Sequence, residues 1–496
     1  MLNLVVIIPL LTIVAILFST RLSHTRVIAA VGMSLQLFVV GIFAFLFHSM
    51  RQRGNTEVFL FHSDRLWFSS LNIHYATGID SISLWMLVLT AVVIFAGVFV
   101  SWEMEHLHRE FFISLILLAT GVFGFFISLD LFTMFLFYEL AVIPMYLLIG
   151  IWGSGPKEYA AMKLTLMLMT GSALLIVGIL GLYFYSGAEG QPTFDLVELS
   201  KRHFPLSMQR FFFPFLFVGF GILGALFPFH TWSPDGHSSA PTAVSMLHAG
   251  VLMKMGGYGC FRVAMFLLPE AAHEMAWIFI ILTSISVVYG ALGAIWQKDL
   301  KYINAYSSVS HCGLVLFALL MLNQTAINGA LLQMISHGLM TALFFALIGM
   351  MYGRTHTRHI DAMGGLMNAY PFISVAYLIA GLASLGLPGL SGFVAEMTVF
   401  LGAFQHAGVF YRALTIMVTT SIVITAVYIL RVVGRLVWGE AYDPAYRQLP
   451  DATWYERTGI VVLAAPVFFI GIMPSFLSGS LMEGLKPVME KILAVM

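Results

Sequence analysis

Long apolar runs separated by short polar loops organise this chain. About 20 apolar residues cross a hydrocarbon core as a helix. On that rule, spans fall at 2–20, 27–48, 79–101, 111–129, 131–152 and 162–185. A seventh starts near 209 and is interrupted between Pro228 and Pro241. The others lie near 244–268, 275–296, 302–322, 326–351, 370–405, 412–438 and 457–477, the 370–405 run being broken at Leu387-Pro388-Gly389. The pattern predicts an all-α integral membrane protein of about fourteen transmembrane helices. After Ser478, Glu483, Lys486, Glu490 and Lys491 alternate with apolar residues, which predicts an amphipathic tail on the membrane surface. Met1 to Thr20 lacks a basic leader and a small-residue cleavage site, so it reads as a retained helix.

The two interruptions, in helices 7 and 12, are the informative departures from regularity. Span seven breaks at Phe227-Pro228-Phe229-His230, with Pro234 and Pro241 following, and span twelve at Gly386-Leu387-Pro388-Gly389-Leu390-Ser391-Gly392. Proline removes a backbone donor and clashes with the preceding turn. Inside a membrane the freed groups must be met by protein or trapped water. Prolines that merely kink packed helices are the alternative for either break alone. Broken spans five apart point instead to two inverted five-helix repeats around a midplane site, helices 4–8 against 9–13. The chain then divides into 1–110 (the first three helices), 111–268 and 269–438 (the repeats), and 439–496 (a last helix and the tail).

Basic loop residues set the orientation. Odd-numbered loops hold Arg21 and Arg26, Lys157, Lys298 and Lys301, Arg354 and Arg358, then Arg447 and Arg457, with Arg431 and Arg435 close by. These loops are expected in the cytoplasm, with both termini on the non-cytoplasmic side. Arg51, Arg53 and Arg65 run against the bias early in the chain.

Composition narrows the chemistry. Of 496 residues, 60% are hydrophobic and only 10% charged, with mean hydropathy +0.93; a soluble domain carries roughly 25% charged residues. The 24 basic and 24 acidic side chains cancel, so no basic face invites nucleic acid. Cys260 and Cys312 lie in apolar stretches without metal-ligand spacing, and no phosphate loop or dinucleotide fingerprint appears. No redox chemistry is expected on this chain.

Against that background, five ionisable side chains sit within spans: Glu139, Lys254, His311, His337 and Glu396. A charge at helix centre costs about 2.5–3.5 kcal/mol on insertion scales, so such groups need a buried partner or a water path. Glu139 stands in Phe135-Leu136-Phe137-Tyr138-Glu139-Leu140-Ala141. Burial and a nearby cation act on a carboxyl in opposite directions, which suits proton loading; a permanently protonated packing residue is the alternative. Lys254, midway along span eight, is a titrating partner or a fixed ion-pair member. His311 follows Ser307, Ser308 and Ser310, while His337 follows Ser336 with Thr341 a turn on; histidines in hydroxyl-rich helices suit a relay. His248, six residues before Lys254, is placed on the same cavity, and His230 and His237 at the first break are further candidates. Glu396 follows the second break, where the free N–H groups of a half-helix favour an anion. Asp80, Asp130 and Asp299 read as helix caps, and Lys157, Glu158 and Lys163 as surface charges at the start of span six.

The stretch Phe227-Pro228-Phe229-His230-Thr231-Trp232-Ser233-Pro234-Asp235-Gly236-His237-Ser238-Ser239-Ala240-Pro241-Thr242 resembles the broken helix of the antiporter-like subunits of respiratory complex I. So do Lys254-Met255-Gly256-Gly257-Tyr258-Gly259, Asp299 through His311, and Leu387-Pro388-Gly389, and the resemblance spans nearly the whole chain. A glutamate after the second break, where other members carry lysine, is similar to the subunit M type. The resemblance implies proton translocation coupled to quinone reduction in other subunits, in a bacterial plasma membrane. It places Glu139, Lys254, His311, His337 and Glu396 on the proton path. It implies no cofactor on this chain: NADH, FMN, iron–sulfur clusters and quinone would belong to partner subunits. Partners would be other membrane subunits, neighbouring antiporter-like ones included, and lipid.

One departure stands out. The family places a lysine in helix seven as the partner of the helix-five glutamate, whereas residues 211–229 contain none and the aligned position falls near Leu223. Three readings stay open: Lys254 serves Glu139 through water, Lys163 reaches inward, or this half works differently. The first is the working expectation. For function, the competing classes are a subunit of a multisubunit sodium/proton antiporter or of a membrane-bound hydrogenase or ferredoxin-linked complex, and a structural spacer that moves no proton.

Overall fold

The computed structural model describes residues 1–439 and 443–494. Its helices are α1 (Leu4–Leu17), α2 (Leu22–Gln52), α3 (Ser81–Val100), α4 (His108–Ile127), α5 (Leu131–Trp152), α6 (Lys157–Ser186), α7 (Leu196–Lys201), α8 (Leu206–Leu223), α9 (Trp232–Ser239), α10 (Thr242–Leu247) and α11 (Met253–Gly259). They continue as α12 (Pro269–Trp296), α13 (Leu300–Leu319), α14 (Gln324–Thr355), α15 (Leu366–Ala369), α16 (Pro371–Ser384), α17 (Ser391–Gln405), α18 (Val409–Val437), α19 (Trp454–Ile472) and α20 (Pro474–Leu493). Among the described residues, ten helices are long and apolar enough to cross a membrane. Helices dominate because a chain in lipid must satisfy its backbone internally.

The ends of these helices are written in polar residues. Asp80 caps α3 by accepting from the Ser83 N–H at 2.9 Å, and Ser83 returns the bond in a capping box. Asp130 accepts from Thr133 N, Asp299 from Lys301 N, and Asn323 from Ala326 N, so the cap expectation for Asp80, Asp130 and Asp299 holds. The apolar rule marks only the hydrocarbon part of a helix. Hence α2, α6 and α14 run several residues past the expected 27–48, 162–185 and 326–351.

Two features depart from the expectation, and the expected amphipathic tail gains a defined docking site. The chain is not wholly helical: Leu60–Ser63 (β1) pairs antiparallel with Thr77–Ile79 (β4), and Leu66–Phe68 (β2) with Ile73–His74 (β3). This segment is too polar to span and too rich in aromatic residues to stay a solvated loop. The helix carrying Lys254 is interrupted by two wide π-type turns, His248–Leu252 and Cys260–Met265. Such turns leave no mark on hydropathy. The tail forms α20, whose Leu477, Leu481, Leu485, Val488 and Ile492 are buried at helical spacing. Trp85 Nε1 donates to Ser480 Oγ at 3.0 Å, Asn328 Nδ2 to Ser478 Oγ at 2.8 Å, and Lys491 Nζ to the Ser200 carbonyl at 2.6 Å. The tail is therefore fastened to α3, α14 and α7.

Both breaks are present. α8 ends at Leu223, and the chain resumes as the eight-residue α9, isolated by extended backbone at Ala240 and Pro241. α16 ends at Ser384 and α17 begins at Ser391, with Gly386 at φ +75° and Gly389 at φ +93° between them. Those left-handed conformations explain glycine at both positions. At the centre stands α14, whose most apolar window is entirely buried.

Candidate proton path

The two breaks leave room at the core for side chains that lipid would reject. Lys254 projects from α11 and is 1% exposed. Its ammonium donates to the Ala249 carbonyl, in the wide turn just before it, and lies 2.8 Å from His337 Nδ1 on α14. π-type turns recur at functional sites. The His337 ring stands 5.0 Å, centroid to centroid, from His311 on α13. His311 Nδ1 in turn lies 3.4 Å from Glu396 Oε1 on α17 and 3.0 Å from Gln333 Nε2. Four of the five candidates thus form one contiguous series, Lys254–His337–His311–Glu396, through four helices. Glu396 presses back into the second break: a Cβ added at Gly386 would come within 3.1 Å of its Oε2.

Hydroxyl groups line the same core. Ser308 Oγ lies 3.1 Å from Thr341 Oγ1, Ser307 Oγ 2.7 Å from the Tyr428 hydroxyl, and Ser336 Oγ donates to Ser391 Oγ at 2.7 Å. The last contact ties α14 to the first turn of α17, one turn before Glu396.

His237 and His248 form a second pair, ring centroids 4.2 Å apart, with Trp232 stacked on His248 at 5.0 Å. Both are fully buried, and none of their four ring nitrogens has a protein partner among the described residues. Buried nitrogens of this kind are the groups internal water satisfies. His230 is not brought into either group. It lies in the first break, 4.8 Å from the Tyr289 ring and 5.6 Å from Phe227.

Glu139 stands apart. It is half-buried on α5 beside Ser172 of α6, and its Oε1 has no protein partner. Leu136 and Ile143, one turn either side, are 37% and 61% exposed, so this carboxylate edges an outward face. Among the described residues no cation pairs with it. Lys163 does not reach inward: its Nζ lies 2.7 Å from Asp235 Oδ2. Lys254 is occupied by Ala249 and His337. Leu223, at the aligned position, is fully buried at the end of α8.

Several buried polar groups escaped the sequence reading. Arg262, 1% exposed, is ion-paired to the fully buried Asp80, which ties the Lys254 helix to the start of α3. Lys301, expected among the basic residues of a cytoplasmic loop, is instead 5% exposed on α13 and donates to the Ala240 carbonyl at 2.6 Å, just beyond α9. Gln333, 2% exposed beside His311, was not among the candidates. Outside the spans, burial raises the Asp130 carboxyl to about 6, although the N–H groups of Thr133 and His74 oppose the shift.

An apolar helical bundle that gathers ionisable side chains at two helix breaks is the arrangement of a membrane ion-transfer protein. Residues 128–425 match the family described as NADH:quinone oxidoreductase/Mrp antiporter, TM, and the chain belongs to that family of multi-pass membrane proteins. It is 35% identical over 480 residues to NAD(P)H-quinone oxidoreductase chain 4 1 of Synechococcus sp. (strain JA-2-3B'a(2-13)), covering 95% of this chain and 89% of that one. It is likewise 35% identical over 431 residues to NADH-quinone oxidoreductase subunit M of Rhodobacter capsulatus, covering 84% and 82%. Among solved structures, a chain of respiratory complex I from Thermus thermophilus with bound NADH superposes at TM-score 0.89 with 25% identity, covering 99% of this chain and all of that one. A chain of the Mrp complex from Dietzia sp. DQ12-45-1b, at TM-score 0.84 and 19% identity, shares the fold and covers 100% and 98%.

Proposed function

We propose that this chain is a proton-translocating membrane-arm subunit of an NADH:quinone oxidoreductase, coupled to quinone reduction in other subunits. The observation that carries the mechanism is the series Lys254–His337–His311–Glu396, which ends on the helix that follows the second break. A proton arriving at Lys254 has an imidazole nitrogen 2.8 Å away, and the far histidine faces a carboxylate at 3.4 Å. A structural spacer gains nothing from such groups, because each is costly to bury. The relatives named subunit M and chain 4 favour this assembly over a sodium/proton antiporter.

The finer architecture in this reading is fourteen spans in two inverted repeats. Repetition in local contacts supports it. Gly121 packs on the α5 backbone at Phe137 and Ala141, and Gly290 packs on the α13 backbone at Tyr306 and Ser310. Asp130 and Asp299 cap those helices. Asp130 forms a lone antiparallel bridge with Asp195, and Asp299 one with His359. One constant spacing separates Gly121 from Gly290, Gly124 from Gly293 and Asp130 from Asp299. By the basic loops, odd-numbered loops lie in the cytoplasm of a bacterial cell and both termini outside it. NADH, FMN, iron–sulfur clusters and quinone are assigned to partner subunits, and neighbouring antiporter-like subunits are the expected contacts.

The working assignment of Lys254 as a water-bridged partner of Glu139 gives way, in this reading, to Lys254 as the intake end of the central series. Glu139 serves as an outward-facing acceptor feeding the bundle from the α5–α6 side. The test is proton uptake per quinone reduced in membrane vesicles carrying Lys254→Met. The reading expects a lower ratio with the complex assembled; an unchanged ratio refutes it.

A further inference from the structure

α9 is an unusual element: eight residues that follow a run of turns and end at extended backbone at Ala240, carrying His237 toward the core. Such a helix gains little stability from its own hydrogen bonds, so its position must be imposed by neighbours. Asp235, two residues before His237, points away from the core. Its Oδ2 takes the Lys163 ammonium of α6 at 2.7 Å, and its Oδ1 accepts the Tyr302 hydroxyl of α13 at 3.0 Å. Lys163 is further held over the Tyr159 ring. The other end of α9 is pinned by cations on carbonyls, Arg358 on Ser238 at 2.7 Å and Lys301 on Ala240 at 2.6 Å. The inner face is closely packed, since a Cβ at Gly236 would meet Leu164 Cδ1 of α6 at 2.9 Å and His248 Cε1 at 3.7 Å, so a small rotation of α9 changes the spacing of His237 and His248.

We propose that Lys163 and Asp235 are positioning residues for proton transfer: their ion pair, with Tyr302, clasps α9 between the two halves of the bundle and holds His237 against His248. The clasp rests on the translocation reading above. It gives Lys163 a role distinct from partnering Glu139, and it couples a charge pair one quarter exposed, on the side the basic loops assign to the cytoplasm, to a fully buried histidine pair. Misplacing reacting groups by about 1 Å costs up to roughly a hundredfold in rate.

The experiment compares Lys163→Met, Asp235→Asn, Lys163→Arg and the charge swap Lys163→Asp/Asp235→Lys within the assembled complex in native membrane vesicles. Assembly is scored by the amount of this chain retained in the complex. The clasp predicts that the two neutral variants lower the proton-translocation rate by roughly tenfold. It predicts that Lys163→Arg keeps the rate and that the swap restores most of it. Rescue by the swap is a readout that simple loss of packing does not produce. If Asp235→Asn fails to assemble, Tyr302→Phe, which removes one hydrogen bond to the same carboxylate, carries the test through a smaller loss. Parent-like rates in the neutral variants, or an assembled swap as defective as they are, overturn the clasp. Glu396→Gln in the same vesicles separates the two readings. If it is defective while the clasp variants are not, only the clasp fails; if it too pumps like the parent, the translocation reading fails with it.

Discussion

Removing the charge of Asp80 tests whether the Lys254 helix is held as described. Asp80 is fully buried, Arg262 is 1% exposed, and the two are ion-paired. Stripping one partner from a buried pair costs about 3–5 kcal/mol, because the survivor is left as an uncompensated charge. Asp80 also caps α3 through Ser83, and loss of a cap adds about 1 kcal/mol. Asp80→Asn keeps the cap and removes the charge, whereas Asp80→Ala removes both. Replacing the whole pair, as Asp80→Asn/Arg262→Met, is close to neutral by the same reasoning, since no buried charge remains. Cys260 and Cys312 are buried free thiols, and Cys260 lies in the same turn as Arg262. Their alkylation in intact membranes, read site by site by mass spectrometry, therefore reports local opening. A loss of about 3–5 kcal/mol raises Cys260 labelling roughly a hundredfold to a few thousandfold when opening is fast. Asp80→Ala labels faster still, and the double variant returns toward the parent. Parent-like labelling of Asp80→Asn, or a double variant as labile as the single, refutes the argument.

Other consequences are equally direct. Gly386→Ala puts a side chain on a residue at φ +75° and within 3.1 Å of Glu396 Oε2; the strain is about 1–2 kcal/mol, and proton translocation is expected to fall with the chain still assembled. Glu139→Gln breaks no ion pair, so thermal stability should stay within about 0.5 kcal/mol of the parent, measurable by the same thiol labelling; a larger loss means that a cation had been holding it. Asp130 sits at about 6 against an ordinary 3.8. A raised folded value contributes stability that is complete below the ordinary value and is lost as pH rises through the raised one. Docking of the 60–79 hairpins on α5, followed by limited proteolysis, should therefore weaken between pH 4 and about 6, and this component should vanish in Asp130→Asn. A protease profile identical in the two proteins contradicts the assignment.

Much of the architecture was legible because lipid simplifies the code. Apolar run length located the helices within a few residues, Pro228, Pro234 and Pro241 marked the first break, and Pro388 with its flanking glycines marked the second. Asp80, Asp130 and Asp299 were readable as caps from their place at span edges. What stayed hidden was partnership across sequence distance. Nothing in residues 160–240 says that Lys163 turns to Asp235 instead of Glu139, since that depends on how α6 and α9 face each other. Arg262 drew no notice in the sequence, because its pairing with Asp80 joins residues 182 positions apart. The wide turns flanking Lys254 are equally silent, because a π-type turn changes hydrogen bonding without changing hydropathy. Of the central groups, His311, His337 and Glu396 were found because a polar residue in an apolar run is conspicuous. The order from Lys254 through the histidines to Glu396 was expected from the resemblance; the distances add that His337 stands next to Lys254 and His311 next to Glu396.

The central claim is that Lys254 and Glu396 are the two ends of one path. Protons translocated per quinone reduced, measured in vesicles carrying Lys254→Met, Glu396→Gln or both, tests it most directly. A single series predicts that each change alone removes this subunit's contribution and that the double variant loses no more than either. Losses that add in the double variant, or a single variant with the parent ratio, contradict it.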